Sequence, residues 1–297
     1  MNKSQTNTLK IMEKNSKDFA TFILTYGRAE KIHTYDNLLK YNYTGDVFFV
    51  CSEDDKTLPR YKELYGDKVV SFKKDDYKDS FDIGDNFNDN RVVVFARNAV
   101  FDISKKLGYK YFLVLDDDYT EFRYTRDERQ NYITKSRKIK NLDKTFEYLL
   151  EYYKKTNAKT LCIAQGGDFI GGESSSVFKK KLSRKAMNFF ICSTDRPFNF
   201  IGRINEDVNT YVSLGSKGDL FQTICDLRLE QLDTQSNTGG LTEFYLDGGT
   251  YVKSFYTVMF APSCTRINLM GNKHKRLHHR ISWNNAIPVI LDEKYKK

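Results

Sequence analysis

The sequence predicts an α/β fold with a mostly parallel central sheet and a mixed C-terminal extension. Three observations predict it. Short apolar runs alternate with helix-period patterns from Phe19 onward. The connections between these runs are long enough to hold crossover helices, as parallel strands require. The most apolar run, Tyr111 to Leu115, ends directly on Asp116-Asp117-Asp118, and ligands of parallel α/β sheets bind at the carboxyl ends of strands.

Phe19 to Thr25 reads as a buried strand, and Ala29 to Tyr41 as a helix with Ile32, Tyr35, Leu38 and Leu39 on one face. Asp46 to Cys51 is a second strand, Thr57 to Tyr65 a short helix and Lys68 to Phe72 a third strand. Arg91 to Leu107 carries Ala96, Ala99, Val100, Ile103 and Leu107 at helical spacing, with Gly108 as its closing residue. After the aspartates, Asp143 to Lys155 reads as helix and Lys159 to Ala164 as strand, and the Gly/Ser-rich Gln165 to Ser176 as a loop. Asn188 to Ser193 and Leu220 to Leu232 read as strands of the extension. Asn205 to Leu214 reads as a helix capped by Asn205. Tyr256 to Ala261 reads as a last strand, followed by a basic, histidine-bearing tail. With no repeat and no linker, residues 19–297 are expected to form one domain behind a lead-in of residues 1–18. Its nucleotide-binding half would be 19–118 and its acceptor half 119–297.

Composition narrows the function. Hydrophobic residues at 40% and aromatics at 14% of 297 residues describe a globular chain rather than a disordered one. No apolar run approaches the roughly 20 residues that span a bilayer, and the polar start has no signal-peptide core, so a cytoplasmic protein is expected. The five cysteines, Cys51, Cys162, Cys192, Cys225 and Cys264, are scattered, which argues against a zinc ribbon or disulfide framework and for core residues. A net charge of +9 and a pI near 9.1 favour polyanionic partners. No protein partner can be inferred.

Three groups carry chemistry. Carboxylates packed as closely as Asp116, Asp117 and Asp118 repel one another, and a hard divalent ion, Mn²⁺ or Mg²⁺, relieves the repulsion. Glu206-Asp207 opens a helix, where an acidic pair either serves the helix dipole or acts as a base. The third is Lys273-His-Lys-Arg-Leu-His-His-Arg280 with Trp283 behind it, either a basic surface or a source of metal ligands. Gly166-Gly167-Asp168 and Gly171-Gly172 lack the Gly-Lys-Ser/Thr of a phosphate loop.

The stretch from Ala96-Arg97-Asn98-Ala99 through Gly108-Tyr-Lys-Tyr-Phe-Leu-Val-Leu to Asp116-Asp117-Asp118 resembles the nucleotide-binding half of GT-A glycosyltransferases, whose Asp-x-Asp motif occupies that place. The resemblance implies that Asp118 ligates the metal and Asp116 contacts the ribose or, through water, the ion, with Asp117 in the same nucleotide-binding set. Thr25-Tyr26-Gly27-Arg28 is similar to the family's nucleotide-holding loop. Asp54, within Glu53-Asp54-Asp55, stands where a carboxylate reads the base, and Arg97 where an arginine faces the diphosphate. Asp207 would be the base, with Glu206 its neighbour and nearly as good a candidate. His278 and His279, and less so His274, would add a metal ligand. Size, the Asp-Asp-Asp site and the Glu-Asp helix further resemble the TET-associated glycosyltransferases, mostly phage-encoded, which add sugars to 5-hydroxymethyluracil or 5-hydroxymethylcytosine in DNA. The implied donor is UDP-glucose and the implied acceptor DNA. Lys135 to Lys140, Lys179 to Lys185 and the His-rich tail are candidate DNA-facing runs, and Trp283 or Tyr119 a candidate stacking aromatic. The alternatives are a cell-envelope polysaccharide or protein-glycan transferase, or a metal-dependent nucleic-acid-binding protein or nuclease.

Overall fold

The computed structural model describes residues 18–86, 90–129, 131–133, 137–169, 185–232, 252–270, 275–286 and 293. The strands are β1 (Phe19–Leu24), β2 (Asp46–Ser52), β3 (Val69–Phe72), β4 (Tyr111–Asp116), β5 (Tyr119–Tyr124), β6 (Thr160–Gln165), β7 (Phe189–Ser193) and β8 (Phe221–Gln231), with β9 (Thr265–Met270) and β10 (Arg276–Ile281) apart from them. The α-helices among the described residues are α1 (His33–Lys40), α2 (Leu58–Tyr65), α3 (Val94–Lys106), α4 (Leu142–Lys154), α5 (Glu206–Ser216), α6 (252–260) and α7 (Trp283–Ala286).

Eight strands form one sheet in the order β3-β2-β1-β4-β7-β6-β8-β5, and β9 pairs with β10 as a separate hairpin. The half β3-β2-β1-β4 is parallel throughout, and β6 runs parallel to β8. The pairings β4/β7, β6/β7 and β5/β8 are antiparallel. The expected parallel sheet with a mixed extension is therefore present.

β1 and β4 are buried through their centres because both faces of the sheet are covered, which is why they read as unbroken apolar runs. Successive side chains go to opposite layers. Phe19, Ile23, Leu113 and Leu115 pack with Leu38 of α1, Tyr61 of α2 and Phe146, Leu149 and Tyr153 of α4. Ala20, Phe22, Phe112 and Val114 pack with Phe95, Ala99 and Val100 of α3 and Val208, Tyr211 and Val212 of α5. Leu24 lies opposite both Val50 and Asp116, so the loops after β1, β2 and β4 emerge at one edge. Gly108 takes φ +84° just past α3, the left-handed conformation that ends a helix, as expected.

Four expectations need correction. The helix foreseen from Ala29 begins at His33, because Gly27 and Arg28 use their N–H groups on Asp55 and Tyr61 instead of opening a helix. Asn205 precedes α5 but does not cap it: its backbone is left-handed at φ 55°, and its amide donates to Lys253 O at 2.7 Å. Tyr256 to Ala261 is no strand. Residues 252–260 are helical, their buried positions Ser254, Tyr256 and Thr257 recurring at helical spacing. The basic tail is strand β10, its register set opposite β9 with His279 facing Ile267. β5 and β9 were not foreseen, since both are short and neither is a continuous apolar run. The five cysteines are free, and all but Cys225 are buried.

Candidate active site

Asp116, Asp117 and Asp118 turn the chain from β4 into β5, and α1 holds that turn. The Thr34 hydroxyl donates to Asp116 O at 2.6 Å and accepts from Tyr119 N at 2.9 Å, while Thr34 N donates to Asp117 O at 3.2 Å. Thr34 went unnoticed in the sequence, where it is one more polar residue in a first helical turn.

The three carboxylates have different environments. Asp117 is buried and faces the loop after β1, accepting from Thr25 Oγ1 and from Arg28 Nη1, each at 2.7 Å. Burial raises its carboxyl to about 6, with Arg28 and Thr25 pulling the other way. Asp118 is less enclosed. Burial, and then the charges of Asp116 and Asp117, push it to about 7. Asp116 reaches across to α3, where Arg97 Nη2 stands 3.1 Å from each of its oxygens.

On the loop after β2, Asp54 and its neighbour divide the work. Asp54 is exposed and paired with Lys74 at 2.9 Å, and that ammonium sits 5.0 Å from the centre of the Tyr26 ring. Partial burial acts to raise its carboxyl, but hydrogen bonds from Ser52 and Lys74 hold it below its usual range. Asp55, which the sequence gave no reason to prefer, is buried and accepts from Gly27 N at 2.7 Å and from Thr57 N and Oγ1 at 2.8 and 2.7 Å. Thr25, Tyr26, Arg28, Asp54, Asp116 and Asp117 thus meet at one edge.

Glu206 and Asp207 open α5 beneath a tightly closed turn. A Cβ on Gly202 (φ +88°) would stand 2.3 Å from Asn209 Nδ2 and 2.7 Å from the Phe260 ring, so only glycine fits. Asn209 ties the turn by donating to Ile201 O and Ile204 O. The strained left-handed Asn205 is held from α6. Both carboxylates are buried, and burial followed by the Glu206 charge raises Asp207 well above the carboxylate range. Arg97 joins this pair to the aspartates of β4, its Nε donating to Glu206 Oε1 at 2.7 Å. Expected to face a diphosphate, it also lies between two protein carboxylates.

The C-terminal hairpin closes the far side. Ser254 Oγ donates to Leu277 O at 2.8 Å, tying α6 to β10. His278 and His279 stack tilted at 4.4 Å between ring centres. Burial, then His278, Lys185 and Lys253, lower His279 to about 3, and burial also lowers His278, so the charged form of both rings is disfavoured. Lys253 is largely buried and feels Asp207, Arg276 and Glu206. Cations therefore surround these histidines, and a further cation is disfavoured there. Among the described residues, no three His, Cys, Asp or Glu side chains are grouped to hold a metal ion, so His278 and His279 do not join Asp116 and Asp118 in such a group. His274 lies outside the described residues.

Tyr119 is fully buried with its hydroxyl on Asn188 O, which removes it as a stacking residue. Trp283 lies parallel to Tyr211, 6.0 Å between ring centres. Of the basic runs, Lys138 pairs with Glu121 and Lys185 with Asp168, while residues 134–136 and 170–184 lie outside the described residues.

The sequence pattern of the TET-Associated Glycosyltransferase family matches residues 19–240. The chain belongs to that family. It is a glycosyltransferase, and the match spans both carboxylate groups and the Arg97 between them. No curated protein matches the sequence. Among solved structures, glucosyl-3-phosphoglycerate synthase from Mycobacterium tuberculosis, in complex with Mn²⁺ and UDP-glucose, is similar at 8% identity and a TM-score of 0.47. The alignment covers 91% of this glycosyltransferase and 89% of that chain. Mannosyl-3-phosphoglycerate synthase from Rubrobacter xylanophilus is similar at 10% identity and a TM-score of 0.45, over 92% and 89%. Among the described residues, no helix is long and apolar enough to cross a membrane.

Proposed function

We propose that this glycosyltransferase moves glucose from UDP-glucose to the hydroxymethyl oxygen of a 5-hydroxymethylpyrimidine in DNA, in the cytoplasm, with Mn²⁺ or Mg²⁺ at Asp116 and Asp118. The observation that carries the reading is the pairing of two carboxylate groups, one at the end of β4 and one at the start of α5, through a single buried guanidinium.

The aspartates fit such an ion. Asp118 is pushed toward neutrality by burial and then by its neighbours' charges, and Asp116 Oδ1, though within ion-pair distance of Arg97, accepts no hydrogen bond. A small hard cation needs only one or two protein carboxylates, because phosphate oxygens and water complete its shell. When bound, it would neutralise charge on the departing diphosphate. Asp117, occupied by Thr25 and Arg28, shapes the nucleotide loop, and Tyr26 and Asp54 line the same edge for the base.

Asp207 is the base. Glu206 is committed to Arg97, whereas a raised carboxyl at Asp207 suits proton abstraction near neutral pH. The hydroxymethyl oxygen forms a bond to the anomeric carbon and its proton passes to Asp207. The bond from that carbon to the diphosphate breaks, and its electron pair leaves with the diphosphate. The net charge of +9 and the cations Lys185, Lys253 and Arg276 suit an acceptor carrying phosphates. The target base would be turned out of the stack to reach Asp207.

The test is transfer of labelled glucose from UDP-glucose, with Mn²⁺, to 5-hydroxymethyluracil DNA, 5-hydroxymethylcytosine DNA, unmodified DNA and a cell-envelope extract. Label in hydroxymethylated DNA alone is the expected result. Label in envelope material with none in DNA would overturn the acceptor.

A further inference from the structure

Arg97 is 2% exposed and contacts both halves of the site at once. Its Nε donates to Glu206 and its Nη2 to Asp116, groups from α5 and β4 that approach each other nowhere else through a hydrogen bond among the described residues. The guanidinium is also walled in by aromatic faces, Phe190 at 5.1 Å and Phe200 at 5.8 Å from ring centre to Cζ. The next residue secures one of those walls. Asn98 Nδ2 donates to Phe200 O at 3.0 Å, and Phe200 N donates back to Asn98 Oδ1 at 2.8 Å. Consecutive residues of α3 therefore hold both the segment leading into α5 and the first acidic residue of α5. Burial works against the charge of Arg97, but Asp116 and Glu206 together keep it protonated.

We propose that Arg97 is a positioning residue that sets the distance between the donor aspartates and the Glu206-Asp207 pair. It acts through Glu206 on one side and Asp116 on the other, without touching the sugar. A planar guanidinium reaches two carboxylates along different N–H directions, and a lysine ammonium at the same place is a single point that satisfies one of them. The reach of a base to its proton tolerates little error, so a loosened strut lowers the chemical step and leaves nucleotide binding in place. This assignment rests on sugar transfer at this site. It differs from a diphosphate contact, which would act on the affinity for nucleotide.

Two variants test it, Arg97→Lys and Glu206→Met, which removes the acceptor at one end of the strut with little change in length. The readouts are kcat for transfer to hydroxymethylated DNA, KM for UDP-glucose, and Mn²⁺-dependent affinity for UDP by calorimetry. Each single variant is expected to lower kcat at least about tenfold while KM and UDP affinity stay within about threefold. The double variant is expected to be no worse than the poorer single one, because both cut the same connection. A raised KM with kcat intact in Arg97→Lys would overturn the strut in favour of a diphosphate contact. Losses that multiply in the double variant would show that the two side chains act separately. Should Arg97→Lys fail to fold, Glu206→Met alone decides, because an unchanged kcat there leaves the strut no function. Absence of transfer and of UDP binding in the wild type would instead remove the transfer reading, and the strut with it.

Discussion

The strands up to Asp116 pair in parallel, β1 with β2 and β4, and β2 with β3, each reached through a connection lying against the sheet. The strands after it pair largely antiparallel and across long separations, β4 with β7 and β5 with β8. The two regions place their carboxylates differently. Asp116 to Asp118 follow from the path of β4 and one threonine hydroxyl of α1. Glu206 and Asp207 depend on distant ties: Asn205 to Lys253, Asn209 to the 201–204 turn, and Arg97 to Glu206. Substitutions of the aspartates at the end of β4 should therefore remove chemistry outright. Acceptor-side substitutions far from the substrate should misplace it.

The largest effect is expected from Asp118→Asn, which should lower Mn²⁺-dependent glucose transfer on the order of 10³-fold or more. Full activity in that variant would place the ion elsewhere. Asn205→Ala, remote from the donor loop, should lower kcat about tenfold with donor KM unchanged, since a strained left-handed residue loses its anchor. A change in donor KM instead would break the division between the regions. Asp55→Ala removes the acceptor shared by Gly27 N–H and Thr57 N–H and should raise KM for UDP-glucose about tenfold and lower Tm slightly, since two partly buried donors lose their partner.

A smaller effect concerns pH. The carboxyl of Asp207 is raised in the fold, so its contribution to stability is present below the ordinary carboxylate range and fades as pH rises through its folded value. Asp207→Asn cannot ionise, and its Tm should exceed that of the wild type by roughly 2–4 °C at pH 8, with less or no gain at pH 5. An equal gain at both pH values would contradict the assigned ionisation. The smallest effect on stability belongs to Asp54→Ala, an exposed partner of Lys74, with Tm expected within about 2 °C of wild type.

The parallel half could be read from the chain because a strand covered on both faces is a continuous apolar run. Tyr111 to Leu115 announces both itself and the aspartates behind it. Gly108 ended its helix as foreseen for a similar reason, since one backbone conformation demands it. The later half resisted because its elements are half-covered. Arg276 to Ile281 is basic and reads as tail until β9 supplies its hydrogen-bond partner. Residues 252–260 contain Tyr, Val, Met and Phe that suit a strand as well as a helix, and only burial of one helical face decides between them. The carboxylate pair was visible as Glu206-Asp207, but the commitment of Glu206 to Arg97 was not, because the two lie 109 residues apart. Asp55 and Thr34 were missed for the same reason. Their roles consist of bonds to distant backbone.

The most direct test of two carboxylate groups serving one transfer is single-turnover glucose transfer to hydroxymethylated DNA by Asp207→Asn, measured beside its Mn²⁺-dependent affinity for UDP. The expected result is a transfer rate lower by roughly 10²–10⁴-fold with UDP affinity within about threefold of wild type. Transfer at the wild-type rate, or a loss of UDP affinity in proportion to the loss of rate, would contradict the assignment of Asp207 as the acceptor base.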